Sequence, residues 1–241
     1  MKAMVFAAGM GTRLKPLTDS MPKALVPVAG APLLEHVIVK LKLAGCTDIL
    51  VNVHHFASQI REFLIQKENF GLHIECSDET ECLLETGGGI RKGAWFFEDG
   101  APFLVHNVDI LSDLDLGAFY RNHLAHKAAA TLLVSKRETA RYLLFDEERN
   151  LKGWINEQTG AVKSPIEGFD PSGYERLAFG GVHIFSPELF PLMEGWPQRF
   201  PIIDFYLSVA DKVAIKGDCQ QLRWLDVGKL DSLDKAEAFF K

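Results

Sequence analysis

The sequence predicts an α/β domain built on a parallel sheet. In its first half, short apolar runs rich in β-formers alternate with segments of helical period, and the first of those runs leads straight into a Gly-x-Gly loop. The opening strand is "KAMVFAA", apolar throughout and therefore buried on both faces. "PLLEHVIVKLKLAG" has the helical period, with Pro32 at the first turn and Gly45 as its stop. Then come strand "DILVNVH", helix "ASQIREFLIQK", strand "LHIECSD", helix "GGIRKGAWFFE" and strand "APFLVHNVDI". Parallel strands joined by helices of this length take right-handed crossovers.

The second half is less regular. "AATLLVSK", "RYLLFDEERNLKGWIN" and "LAFGGVHIFS" read as strands, with a hairpin through "EERN". Helices "PELFPLME" and "IIDFYLSVADK" follow, then the strand "QQLRWLDVG" and a last helix, "KLDSLDKAEAFF". Residues 156–178 are polar and turn-rich, a surface excursion within one domain spanning 1–241. The expected division is a nucleotide-binding half, 1–110, and a half that completes the sheet and builds a second pocket, 111–241.

Composition narrows the partners. With 241 residues and 47% hydrophobic content, the chain can bury a large core. A net charge of −6 gives no general attraction to nucleic acid or to an anionic membrane, so phosphate binding needs a local basic site. No run approaches the roughly 20 apolar residues of a membrane span, and none makes a secretory signal. Cys46, Cys76, Cys82 and Cys219 lack paired metal spacing, so reduced thiols and a cytoplasmic location are expected.

Chemistry concentrates in "FAAGMGTRLKPLTDSMPKAL". Gly9 and Gly11 bring backbone amides close to something anionic, and Arg13 and Lys23 follow in a stretch stiffened by prolines. A dinucleotide fingerprint would need a third glycine where Leu14 stands, and no G-x-x-x-x-G-K-[ST] run occurs. A stiff loop carrying cations suits a reacting polyphosphate better than a passive cofactor. Lys23 is expected to be an exposed cation whose loss costs little stability. His54-His55 with no third ligand, Trp95-Phe96-Phe97 and the terminal Phe239-Phe240 are read as structural.

The stretch "AAGMGTRLKPLTDSMPKALVPVAGAPLLEH" resembles the signature of the sugar-1-phosphate nucleotidyltransferases. "LETGGGI", "LVHNVDI", "FGGVHIF" and "WLDVGKLDSLDKAE" follow in that family's order, so the likeness runs nearly the length of the chain. It is greatest to the short N-acetylmuramate-1-phosphate uridylyltransferase group, with mannose-1-phosphate guanylyltransferases next. The resemblance implies a Rossmann-like three-layer α/β/α fold with a mixed, mostly parallel sheet, in a single domain.

It also implies a reaction between a nucleoside triphosphate (UTP favoured, GTP next) and a sugar 1-phosphate. Arg13 and Lys23 match the catalytic cations, and the nucleotide is expected on Ala8, Gly9, Gly11, Thr12, Arg13, Lys23 and Gly87, with Glu81 reading the base. Asn107 and Gly181 fall at sugar-phosphate contacts, and Asp109 and Asp226 at the Mg²⁺ positions. Two aspartates suffice for Mg²⁺, which keeps waters and substrate oxygens as its other ligands. The chain departs from the pattern three times, the first in "DETECLLETGGGI", one residue longer than the family's run. Val108 stands where relatives often have glycine, a packing change, and the E-K-P lysine that holds the sugar phosphate in many relatives is missing, since Lys163 lacks the preceding acid. Of other classes, a catalytically silent nucleotide-sugar sensor is the alternative, which the retained Arg13, Lys23, Asp109 and Asp226 argue against.

Overall fold

The computed structural model describes residues 1–240. Its strands are β1 (Lys2–Phe6), β2 (Pro27–Val28), β3 (Ala31–Pro32), β4 (Asp48–Val53), β5 (His73–Asp78), β6 (Phe103–Asn107) and β7 (Ile110–Ser112) in the first half. The second half adds β8 (Ala130–Ser135), β9 (Arg141–Phe145), β10 (Leu151–Asn156), β11 (Ala161–Lys163), β12 (Glu175–Phe185), β13 (Ile215–Cys219) and β14 (Trp224–Asp226). The α-helices are α1 (Leu33–Leu43), α2 (Ala57–Gln66), α3 (Glu85–Lys92), α4 (Leu116–His126), α5 (Ile202–Val209) and α6 (Leu233–Phe239).

One mixed sheet runs β11-β10-β9-β12-β6-β1-β4-β5, with β8 beside β12 and β13 beside β8. β6, β1, β4 and β5 are mutually parallel, as the alternating pattern predicts. β12 reverses direction against β6 and carries the second half of the sheet. Side chains alternate across the strands, so each strand feeds two cores. Ala3, Val5, Ile49, Val51 and Leu104 face α1, α2 and α4, whereas Met4, Leu50, Phe103 and Val105 face α5 and the Phe96–Phe97 turn. That is the expected three-layer arrangement. Phe97 and Phe103 stack at 3.5 Å between centroids in the second core.

Local signals set several boundaries. Pro32 caps α1 and Gly45, at φ +91°, lies just beyond it. Asp115 caps α4 by accepting the Ala118 amide at 2.9 Å. The β9–β10 turn closes through Asp146, which accepts the Asn150 amide at 2.7 Å.

Other elements depart from the sequence reading. "PELFPLME" is a 3₁₀ run, Pro187–Met193, with Pro191 inside it. β13 was not legible: "IKGDC" reads as polar, yet Gly217 is needed because a Cβ there would meet the Phe145 ring at 2.7 Å. "QQLRWLDVG" yields only β14, which leaves the main sheet to pair with β7. The excursion at 156–178 contains β11 at the sheet edge. His54 binds the Glu79 carbonyl, Phe96 and Phe97 are buried with Trp95 exposed beside them, and Phe240 stacks on His36. No helix among the described residues is long and apolar enough to cross a membrane, and none of the four cysteines is in a disulfide.

Three buried histidines give the fold an acid limit. Burial pushes His106 and His123 down to about 4 and His183 down to about 3. In the unfolded chain each takes up a proton near pH 6.5, whereas the folded chain keeps it neutral. Stability is therefore flat above that pH and falls below it, by about 1.4 kcal/mol per histidine per pH unit until the folded values are reached. Urea unfolding at pH 7 and pH 5 checks this, and equal stabilities at the two would contradict it.

Candidate active site

The glycine loop begins where β1 ends, beside the carboxyl end of β6, a position where open α/β sheets bind ligands. A buried relay fixes it. Asn52, within β4, accepts the amides of Ala7 and Ala8 at 2.7 and 3.2 Å. Its own amide donates to Glu79 at 2.9 Å, and the other Glu79 oxygen accepts the Leu84 amide at 3.0 Å. The loop is thereby locked to the start of α3 without any ligand. Ala8 lines the cavity, and with its N–H committed to Asn52 it offers surface and not a donor.

The amides of Gly9, Met10 and Gly11 donate to no acceptor among the described residues. Gly11 sits at φ +63°, and a Cβ there would lie 2.8 Å from Thr18 Cγ2. Its carbonyl accepts the Thr18 hydroxyl and the Leu14 amide, both at 2.8 Å, which closes the turn. Thr12 and Arg13 are exposed at the start of that turn.

A cavity of about 380 Å³ opens in front of the loop, and Ala8, Gly9, Lys23, Glu79, Asn107 and Asp109 are among its lining residues. Lys23 is not the exposed cation expected: it is only 8% exposed, and its ammonium pairs directly with Asp109. Two more expectations change. Glu81 lies outside this cavity, in a separate surface cleft with Arg91 and Lys92, and Glu79 takes the inward place. Gly87 faces away from the cavity, its Cβ position filled by the Phe200 ring, while Thr86 and Glu85 reach the wall. Gly181, at φ +75°, makes the kink in β12 and backs Asn107, whose side-chain nitrogen would be 3.1 Å from a Cβ there. It supports the sugar-phosphate position without lining the cavity. Val108 is buried and ties β6 to β1 through the Phe6 carbonyl at 3.1 Å, a packing residue as expected.

Asp226 reaches this site only through tertiary structure. β14 pairs antiparallel with β7, Asp226 opposite Ile110, and the Val227 amide donates to the Asp109 carbonyl at 2.8 Å. Asp226 Oδ1 is buried with no hydrogen-bond partner. Burial and, next, the neighbouring Asp109 push its carboxyl above the usual range, while Lys23, Arg13 and Arg137 pull it back. Arg13 flanks the same group: a Cβ on Gly228 would sit 2.6 Å from Asp226 Oδ1 and 2.8 Å from Arg13 Nη2. Two carboxylates, one with an unsatisfied buried oxygen, are a donor set for a hard divalent cation that keeps other oxygens from water and phosphate. No group of three or more potential metal-ligating side chains occurs among the described residues, so the protein's share is limited to this pair.

A second cavity, of about 550 Å³, adjoins the first at Pro201 and is walled by Arg137, Thr139, Arg141, Trp154, Asn156 and Phe179 among others. Lys163 is at its edge, paired with Asp204 of α5 at 2.7 Å. Of the residues missed in the sequence, Asn52 left a trace, a polar side chain in the apolar run "DILVNV"; Glu79, Arg137 and Arg141 left none.

An open α/β sheet with unpartnered loop amides and an acid–base cluster at its strand ends defines a protein that handles polyphosphate. The chain belongs to the nucleotidyl transferase family, whose model matches residues 2–241. It is 33% identical to the N-acetylmuramate alpha-1-phosphate uridylyltransferase of Neisseria meningitidis over 99% of this chain and 97% of that one. It is 31% identical to the mannose-1-phosphate guanyltransferase of Gibberella zeae, over 95% of this chain and 61% of the relative. HddC of Yersinia pseudotuberculosis, solved with GMP-PN, shares the fold at a TM-score of 0.77 and 21% identity, over 100% of this chain and 99% of the other.

Proposed function

We propose that the protein transfers a nucleotidyl group from a nucleoside triphosphate to a sugar 1-phosphate. The observation that carries this is the cluster Lys23–Asp109–Asp226–Arg13: Lys23 and Asp109 line a cavity fit for a nucleotide, and Arg13 and Asp226 line a cleft that meets a second cavity, fit for a sugar, at Arg137. An oxygen of the sugar phosphate forms a bond to the α-phosphorus. The bond from the α-phosphorus to the α–β bridging oxygen breaks, and pyrophosphate leaves with that electron pair. The nucleophile is already largely dianionic at neutral pH, its second pKa being about 6, so no general base is needed.

The difficulty is repulsion between anions, and this chain's residues answer it. The amides at residues 9–11 and the side chains of Arg13 and Lys23 hold the triphosphate. Asp109 and Asp226 would hold Mg²⁺, which supplies Lewis-acid neutralisation of phosphate oxygens when bound. Residues 1–110 bring the loop and Asp109, and residues 111–241 bring Asp226 and the sugar pocket. The reading favours UTP with an N-acetylated acidic sugar, after the first relatives, with GTP and mannose second, in a cytoplasmic enzyme of precursor synthesis for cell-wall or surface polysaccharide.

Pyrophosphate release over a grid of nucleoside triphosphates and sugar 1-phosphates, with Mg²⁺ and with EDTA, tests the proposal. One pair should react, only with both substrates and metal present; a grid with no reacting pair would end it. Within that grid, Glu79 is the acid that shapes the base site, since its two oxygens hold Asn52 and the Leu84 amide at the cavity wall. Glu79→Gln should raise the nucleotide KM by about tenfold or more, the cost of one charge-assisted hydrogen bond, while Glu81→Gln stays within about twofold. The opposite order would return base reading to Glu81.

A further inference from the structure

Arg137 is a half-buried cation that makes no ion pair; Asp226 attracts it without touching it. It follows β8, and its Nη2 donates to the Phe179 carbonyl at 2.8 Å. Its guanidinium lies 4.1 Å from the centroid of the Trp224 ring, and Trp224 is itself held by a 2.8 Å bond from Nε1 to the Gly180 carbonyl. Arg137 Nε is buried and makes no hydrogen bond among the described residues. Arg61, Arg149, Arg176, Arg199 and Arg223 sit against carboxylates, whereas Arg141, in the same cavity wall and also without an ion pair, is exposed to water. Partial burial disfavours a cation that no carboxylate contacts, so an anion is expected to complete this one.

The place identifies the anion. Arg137 lines the second cavity and also the cleft that contains Arg13 and Asp226, so it stands where the two meet. The loop amides and Lys23 already serve the first cavity. Lys163, also in the wall of the second, is paired with Asp204. Trp154, Phe179, Asn156 and Thr139 around Arg137 offer flat faces and hydrogen bonds of the kind a sugar ring takes up. We propose that Arg137, held in plane by Trp224, grips the phosphate of the sugar 1-phosphate and aims it at the α-phosphorus. Its Nη1 and the second hydrogen of Nη2 are the donors left for that grip, a geometry a lysine cannot copy. The inference rests on the nucleotidyltransferase reading above.

Steady-state kinetics of Arg137→Gln and Arg137→Lys decide it, with the reacting pair from the grid. The Gln variant should raise the KM for the sugar 1-phosphate about a hundredfold and leave the nucleotide KM within about twofold. The Lys variant should recover part of the loss, because charge returns without the planar fork. A larger rise in the nucleotide KM would assign Arg137 to the triphosphate, and unchanged constants would leave it a structural residue; either overturns the proposal. Should the Gln variant fail to fold, the Lys variant's split between the two KM values decides. Should the wild type turn over no pair, the functional reading fails by itself. Calorimetric titration of inorganic phosphate then judges Arg137: binding at least about tenfold weaker in the Gln variant supports the grip, and equal binding refutes it.

Discussion

Asp226→Asn is expected to cut turnover by two to three orders of magnitude, about 3–4 kcal/mol of barrier, while making the metal-free protein slightly more stable. The two effects share one cause. Asp226 is half-buried, with Oδ1 buried and unpartnered, and lies near Asp109, so its ionised form is disfavoured in the fold and its carboxyl is pushed above the usual range. A group whose folded value is raised binds its proton more tightly folded than unfolded, so ionising it as pH rises weakens folding. At neutral pH the asparagine removes that penalty; below the unfolded value the two proteins should converge. Adding Mg²⁺ and nucleotide should reverse the order, because only the wild type gains the binding energy of the full site. Thermal melts with and without these ligands read the crossing. Asp109→Asn should be similarly inactive, and the double variant little worse than either, since the two act through one ion. Additive losses, or an Asn variant less stable without metal, would show that Asp226 is structural.

Lys23→Ala is expected to lose about a hundredfold or more in turnover, as for a donor aimed at charge developing in the transition state. Unlike an exposed lysine, it should also destabilise the protein. Its ammonium is buried against Asp109, and without it Asp109 and Asp226 face each other with one fewer cation. Stranding a buried charged partner costs about 1–3 kcal/mol or more. Adding Asp109→Asn to Lys23→Ala should restore part of the stability and none of the activity. A double variant no more stable than the Lys23→Ala protein would show that the ion pair is not what Lys23 supports.

Sequence and tertiary structure divided the work along a physical line. Features set by near neighbours were readable from the residues: the glycine loop with its basic flank, the alternation of buried strands and helices, the helix start at Pro32 and its stop at Gly45. Each depends on contacts within a few positions or on a side-chain period. The chemistry of the loop region was readable for the same reason, because Gly9, Gly11, Arg13 and Lys23 lie on one short stretch. Three decisions depended on packing. Glu79 and not Glu81 turns inward because Asn52 and the Leu84 amide hold it, and Glu81 lies on the outer surface. Lys23 is buried because Asp109 comes to it from the end of another strand. Asp226 and Arg137 join the site because β14 leaves the main sheet for β7, which sets the Asp226 carboxylate beside Asp109 and the Trp224 ring under the arginine. Residue types and local order name the chemistry a chain can do, but which distant charges meet is set by strand pairing, and that pairing is decided by the whole fold.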